Sequence, residues 1–555
     1  MARDLDADLK TLRTVLDYAE KRDFERAAAL AERTLASGFE HPLLLNVMAT
    51  RMETLGRFED SLRLLERAVA LAPSDVGARN ALSLCLQRLD RPGEALMHID
   101  HLLKLQPTLA FAHANRGNAL IALGSLKRAR ESHLRALDLE PNNLAAATAL
   151  ASIATHRGEH EEARRWAEQA LRIAPGFPDA VMSLAAAELA AGNTGQAERL
   201  LHQLIVDARA SRTDKARAAG LLGDVLDAEG RYAEAFDSYA ACNEALLKVH
   251  SRFAAANMLG YVRELTVAVG RNGAEGWGAA RGEQGLTPGD TAGGHASGAV
   301  EPGPRIREHV FLLGFPRSGT TLLEVVLDGH PQVASVEEHE LLTEAALKFM
   351  REPLDFGALR RAGEAELQAL RGAYWRRVSQ AGVPVAGKVF IDKHPLNTLK
   401  LPVIARLFPR AKVLFACRDP RDVVLSCFRR RFKMNPAMYE LLSLPGAAAF
   451  YDAVMNFAVT FRPLSGLPWR EVRYETLVTS FGAEMRGICE FLGLEWQEGM
   501  GDFGARLQAR EHATPSTAQL SRGLDSSGID QWRRYEPQLQ PIMAALEPWV
   551  KRFGY

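Results

Sequence analysis

Residues 311–324 read FLLGFPRSGTTLLE. An apolar run, a turn bounded by Gly314 and Gly319, and a second apolar run opened by two threonines describe a strand that turns tightly into a helix. The spacing Gly314-x4-Gly319-Thr320-Thr321 is that of a phosphate-gripping loop, except that Thr320 stands where the lysine belongs. Backbone N–H groups at a helix start still offer positive potential to an anion. Arg317, inside the loop, adds a planar fork of donors.

Downstream of this loop, short apolar runs alternate with helical patterns. HVFLLG (309–314), KVFID (388–392), KVLFAC (412–417) and EVRY (471–474) are the candidate strands of a parallel sheet with crossover helices, which places an α/β domain at residues 305–555. Upstream, residues 271–304 (RNGAEGWGAARGEQGLTPGDTAGGHASGAVEPGP) are dominated by Gly, Ala and Pro. That composition predicts a flexible linker between two independent cores.

The first half repeats. Pro73, Pro107, Pro141 and Pro175 are 34 residues apart, and the same step joins Ala27, Ser61, Ala95, Ala129, Ala163 and Ala197. The pattern resembles the tetratricopeptide repeat, in which a small residue marks the tight crossing of two helices and a Pro follows the second. Residues 110–143 show it best, with Gly117, Ala129, Ala136 and Pro141 in register. The next small residue after Ala197 is Ala235, so about four residues are inserted near ASRTD (210–214) before a last repeat. Six to seven helical hairpins over residues 8–250 are expected, stacked into an α-solenoid whose concave face binds a peptide or serves as a spacer or dimerisation arm.

Composition limits the functional classes. The 555 residues are 47% apolar and 25% charged, with 68 basic against 68 acidic side chains. Nothing global favours nucleic acid, so an anion site has to be local. No run of 18 apolar residues occurs and the charged start has no leader pattern, hence no membrane span is expected. The five cysteines lack metal-ligand spacing, and a reduced cytoplasm is expected.

Two motifs taken together carry a family resemblance. PRSGTT (316–321) resembles the 5′-phosphosulfate loop of sulfotransferases that use 3′-phosphoadenosine 5′-phosphosulfate (PAPS), and KVLFACRDPRDVVLS (412–426) resembles their 3′-phosphate site. Between them, VFIDKHPLNTLKLPVIARLFP (389–409) is similar to a segment of the protein-tyrosine sulfotransferase branch. The resemblance implies a P-loop-like sulfotransferase domain in which Pro316, Arg317, Ser318, Gly319, Thr320 and Thr321 hold the phosphosulfate and Arg418 and Ser426 hold the 3′-phosphate. It further implies Glu338 in ASVEEHELL (334–342) as the catalytic base, with Glu337, His339 and Glu340 as alternatives, and Lys393 with Arg317 at the leaving group. Tyr474 in VRYETLV, and Thr514, Ser516 and Arg522 in HATPSTAQLSRGLDSSGIDQWRRY (512–535), complete the implied cofactor contacts.

A sulfuryl group carries about one charge less than the γ-phosphate that a lysine and Mg²⁺ neutralise together, so no metal is expected. The acceptor is a hydroxyl of a peptide tyrosine, a carbohydrate or a small phenol. Two alternatives stand beside this reading: a repeat scaffold that binds adenine nucleotides without turnover, and an NTPase in which Asp419 ends a Walker B strand.

Overall fold

A computed structural model describes residues 5–21, 23–271, 303–354, 356–502 and 526–555. The expected linker, apart from its ends, and the candidates Thr514, Ser516 and Arg522 lie outside the described residues. The chain divides into two compact units with a boundary between Ala191 and Gly192.

The first unit is helical: α1 (Leu5–Glu20), α2 (Phe24–Ala36), α3 (Pro42–Thr54), α4 (Phe58–Leu71), α5 (Val76–Arg88), α6 (Pro92–Leu105), α7 (Ala110–Ala122), α8 (Leu126–Leu139), α9 (Leu144–Arg157), α10 (His160–Ile173) and α11 (Pro178–Ala190). Even-numbered helices start at Phe24, Phe58, Pro92, Leu126 and His160, and odd-numbered ones from α3 at Pro42, Val76, Ala110, Leu144 and Pro178. Both series step by 34 residues, as the sequence period requires. Helices α4, α6, α8 and α10 each end two residues before one of the periodic prolines, where the residue preceding Pro is driven out of helical geometry. The small-residue column is fully buried, because only a short side chain lets two helix backbones approach. At Gly117 the space a Cβ would need is taken by the His133 ring, only 2.3 Å away. Desolvation there pushes His133 down to about 4, so the imidazole is neutral and packs as a core residue.

The second unit opens with α12 (Thr194–Val206), α13 (Arg212–Ala228), α14 (Tyr232–Val249) and α15 (Met258–Gly270). The step of 34 reaches Thr194 and Arg212, and only then breaks. The expected four-residue insertion does not loop out near 210–214: α13 has 17 residues where α11 has 13, so the extra residues lengthen the helix by about one turn.

A five-stranded sheet follows, built from β1 (Glu308–Gly314), β2 (Val333–Glu337), β3 (Val389–Lys393), β4 (Lys412–Cys417) and β5 (Trp469–Arg473). Its order is β2-β3-β1-β4-β5 and every pairing is parallel. Sequence patterning anticipated four of these strands. The edge strand β2 is absent from the candidate strands, because VASVE is short and ends in charge. β1 is buried on both faces, as a central parallel strand must be. Val310 and Leu312 pack under α16 (Thr320–Leu327) and α25 (Phe481–Leu492). On the opposite face Phe311 joins His309, Tyr374 and Phe408 in an aromatic cluster.

The remaining helices are α17 (Thr343–Phe349), α18 (Phe356–Arg361), α19 (Glu364–Gln380), α20 (Leu401–Leu407), α21 (Pro420–Phe428), α22 (Pro436–Glu440), α23 (Leu444–Ser465), α24 (Tyr474–Thr479) and α26 (Glu536–Phe553). The chain leaves β1 toward β2 on one side and β4 toward β5 on the other, so the strand order reverses between β1 and β4. In open α/β sheets that switch point, at the carboxyl ends of the strands, is where ligands settle.

The last solenoid helices share a compact unit with this sheet. Asn243 of α14 donates to the Phe428 carbonyl at 2.8 Å, and Tyr261 of α15 donates to the Met350 carbonyl at 2.8 Å. The boundary between compact units therefore falls inside the repeats, not at the Gly-rich stretch. The residues that bridge α13–α15 to the rest of this unit are 89 to 308 positions apart in sequence, where composition gives no signal.

Candidate active site

Gly314 ends β1 with φ 151°, and a Cβ there would lie 2.7 Å from the Ala416 carbonyl oxygen. Glycine lets β1 and β4 stay paired while the chain turns away. The Thr398 hydroxyl accepts the Gly314 N–H at 3.1 Å and lies 2.9 Å from the Gly314 carbonyl oxygen, which fixes the strand end. Arg317 then takes φ +70° and Gly319 φ +95°, two left-handed residues that swing the loop back over the start of α16. The first N–H groups of α16 have no intrahelical acceptor and open onto this loop.

The loop after β4 meets the loop after β1. Arg317 Nε donates to Ser426 Oγ of α21 at 3.1 Å, and Arg418 Nη1 donates to the Arg317 carbonyl at 3.1 Å. The two motifs that sequence separates by about a hundred residues thus meet in space. Arg418 is 7% exposed, lies 4.7 Å over the Tyr474 ring, donates to the Gly528 carbonyl, and keeps a buried Nε with no partner. Tyr474 is wedged in place: a Cβ on Gly319 would come within 2.8 Å of its ring, and one on Gly528 within 2.5 Å of its hydroxyl. Pro316, Ser318, Thr320 and Thr321 are buried in the loop and first helical turn, with the Cys427 thiol 3.5 Å from the Pro316 carbonyl oxygen.

Positive charge is concentrated here. Burial, then Arg430 and Arg418, push the Arg317 guanidinium down to about 9, which still leaves it protonated at neutral pH. A bound anion would relieve that crowding, and the orphaned Arg418 Nε would gain an acceptor. The residues present therefore fit a ligand with several acidic oxygens. Asp419, the candidate Walker B acid, caps α21 through the Arg421 N–H at 2.9 Å and is clamped by the Arg421 side chain.

A second, acidic group lies at the ends of β2 and β3, paired Glu337 to Lys393. Lys393 is 0% exposed, with Nζ 2.8 Å from Glu337 Oε1, 3.0 Å from Glu338 Oε1 and 3.5 Å from Glu324 Oε2. Although desolvation opposes the charged form, the three carboxylates raise the ammonium above its ordinary value. Glu338 continues the strand pairing, donating its N–H to the Lys393 carbonyl at 2.7 Å, with φ +50° and a half-exposed side chain. Burial pushes its carboxyl up, but Lys393, His394 and Arg317 outweigh it and hold Glu338 below the usual carboxylate range.

Its sequence neighbours are differently placed. Glu337 faces Lys393, Glu340 pairs with Lys400 and His394, and the His339 ring bonds the Glu337 carbonyl at 2.8 Å. Sequence reasoning missed Glu324 and Arg430. Glu324 is 1% exposed and accepts the Ser335 hydroxyl at 2.8 Å. A lone carboxylate in the apolar helix TTLLEVVL was the available signal, since a buried charge demands a partner.

Comparison with known proteins follows the same division. Residues 309–498 match the family described as "Sulfotransferase family", and residues 48–110 and 115–178 match "Tetratricopeptide repeat". An uncharacterised protein of Aquifex aeolicus is 27% identical over 255 residues, 44% of this chain and 33% of its own length. Protein-tyrosine sulfotransferase 1 of Danio rerio is 26% identical over 260 residues, covering 44% of this chain and 72% of the relative. Protein-tyrosine sulfotransferase 2 of Gallus gallus is 27% identical over 267 residues, covering 44% and 69%. Among solved structures, a thermophilic tetratricopeptide repeat protein of Thermus thermophilus aligns over 33% of this chain and 98% of its own, at 21% identity and a TM-score of 0.30.

Proposed function

On the premise that residues 309–498 are a sulfotransferase-family region and residues 48–178 carry tetratricopeptide repeats, we propose that this protein transfers a sulfuryl group from PAPS to a hydroxyl acceptor. The observation that carries the reading is the junction at Arg317, where the loop after β1 meets Ser426 and Arg418 after β4. PAPS, when bound, supplies the activated sulfuryl group. Arg317 and the first-turn N–H groups of α16 bind its acidic end, and Arg418 and Ser426 the 3′-phosphate, with Tyr474 bracing Arg418 and the loop.

Lys393 holds positive charge for the developing charge on the leaving oxygen, and Arg317 shares that role. Because Lys393 is enclosed by carboxylates, it also fixes Glu338, whose half-exposed carboxylate takes the acceptor proton. A carboxylate held below its usual range is ionised throughout the physiological range and accepts the proton late, once the acceptor oxygen has become acidic by bonding to sulfur. The capping of α21 by Asp419 disfavours the NTPase alternative.

The names of the relatives point to a peptide tyrosine as acceptor, with the repeats recruiting it; a carbohydrate or small phenol is the other acceptor class. No helix among the described residues is long and apolar enough to cross a membrane, and five free, buried cysteines support a reducing, cytoplasmic location. The test is transfer of labelled sulfate from PAPS to tyrosine peptides and to a small phenol. Label in neither, together with equal affinity for adenosine 3′,5′-bisphosphate and adenosine 5′-monophosphate, would refute the reading.

A further inference from the structure

α21 runs from the Arg418 loop through Ser426 to Phe428, and three consecutive arginines follow. Two of the three have carboxylate partners on α13, in the last solenoid hairpin formed with α14. Arg429 Nη2 lies 2.9 Å from Asp227 Oδ2, and Arg431 Nη2 lies 2.5 Å from Asp224 Oδ2. The Phe428 carbonyl accepts the buried Asn243 amide at 2.8 Å, and the Phe236 and Phe428 rings stack at 5.2 Å. The hairpin grips this segment by backbone and side chains together. Its fit is close: a Cβ on Gly220 would lie 2.8 Å from Arg431 Cδ.

Arg430 sits between the two held arginines in sequence, and its charge is felt at Arg317. Three consecutive arginines thus follow the end of α21, and Arg317 lies within electrostatic reach of Arg430 and Arg418. Unopposed, they would repel one another and spread. Asp224 and Asp227 neutralise Arg431 and Arg429 and so hold the segment that contains Arg430, and with it the end of the helix that bears Ser426.

We propose that Asp224 and Asp227 are positioning residues of the donor site, so that the terminal hairpin of the solenoid is a working part of that site. This rests on the donor reading above. Each carboxylate acts through an arginine, and neither touches the donor.

The test uses the full chain and calorimetric titration with adenosine 3′,5′-bisphosphate and with adenosine 5′-monophosphate, beside the donor KM and kcat. Asp224→Asn/Asp227→Asn should weaken bisphosphate binding at least about tenfold, since displacements near 1 Å carry effects up to about 100-fold. The monophosphate should be affected far less, and KM should rise much more than kcat falls. A general loss of structure would move both ligands and kcat alike, which would overturn the proposal. Because the double variant removes two carboxylates, Asp227→Glu provides the second arm. It keeps the charge and shifts it by one methylene, and a fall of about threefold in the bisphosphate-to-monophosphate selectivity is expected. Unchanged selectivity in both variants would overturn the positioning role while leaving the donor reading intact. Failure of the unaltered protein to prefer the bisphosphate would overturn that reading and this proposal with it.

Discussion

Replacing Lys393 by Met removes the cation that three carboxylates share. Lys393 and Glu324 are almost completely inaccessible, at 0% and 1% side-chain exposure, and Glu337 is at 12%. Glu338 is at 50%, so its pair is screened by water and adds little to stability. The cost therefore falls on Glu324 and Glu337, left without their counter-ion. Breaking a buried pair by removing one partner costs about 3–5 kcal/mol. The Ser335 hydroxyl still bonds Glu324, which places the expectation near the lower half of that range at pH 7.5. The buried Glu324 carboxyl would then favour its proton, so the deficit should shrink as pH falls toward 5. Urea unfolding followed by tryptophan fluorescence at pH 7.5 and 5.5 measures both effects. Adding Glu324→Gln to Lys393→Met should recover at least about 1 kcal/mol. A loss below about 1 kcal/mol at pH 7.5, or no recovery in the double variant, would show that the cluster does not hold Lys393 electrostatically.

Glu338→Gln should lower transfer about 10²- to 10⁴-fold with bisphosphate affinity changed less than about threefold, measured by steady-state rates and calorimetry; retained activity would remove Glu338 as the base. Burial pushes the Asp392 carboxyl, which accepts the Tyr374 hydroxyl at 3.0 Å, up to about 6. Its folded pKa thus exceeds the unfolded value of about 3.9, the folded form binds more protons between the two, and stability falls as pH rises through that window by up to ~3 kcal/mol. Asp392→Asn should flatten this limb of the unfolding-midpoint profile, and an unchanged slope would count against it. A chain beginning at Gly192 should unfold with nearly the midpoint of the full chain. One beginning at Arg305 lacks the partners of Arg429 and Arg431 and should lose at least about 2 kcal/mol, so equal midpoints for the two truncations would refute the structural role of α13–α15.

Much of this organisation is legible in the sequence, for identifiable reasons. A repeat of 34 fixes helix starts because each hairpin solves the same packing problem, and the prolines that end α4, α6, α8 and α10 act locally. Gly314 and Gly319 announce a tight turn between apolar runs, and their left-handed backbone is what the turn requires. β2 was less legible, because an edge strand of five residues ending in Glu carries too little patterning to distinguish it from a turn. Hidden altogether was the joining of the last hairpin to the end of α21. Asp224 and Asp227 are ordinary acidic residues on an amphipathic helix until chain segments about 200 residues apart are brought together. The carboxylate cage around Lys393 was half visible: Glu337 and Glu338 stood in the candidate motif, but Glu324 lay in a helix read only for its apolar face.

The extra turn of α13 restricts how such a protein can change its length. A solenoid of equal modules can gain or lose whole repeats, since each module meets only its neighbours. The helices from α2 to α11 keep the standard 13 or 14 residues, and the modules they form are interchangeable in that sense. The terminal one is a fitted adaptor, with a 17-residue helix carrying two carboxylates spaced for Arg429 and Arg431. Recombination that duplicates or deletes inner repeats can therefore change the length of the array freely, whereas a cut inside the adaptor would remove the partners of Arg429 and Arg431.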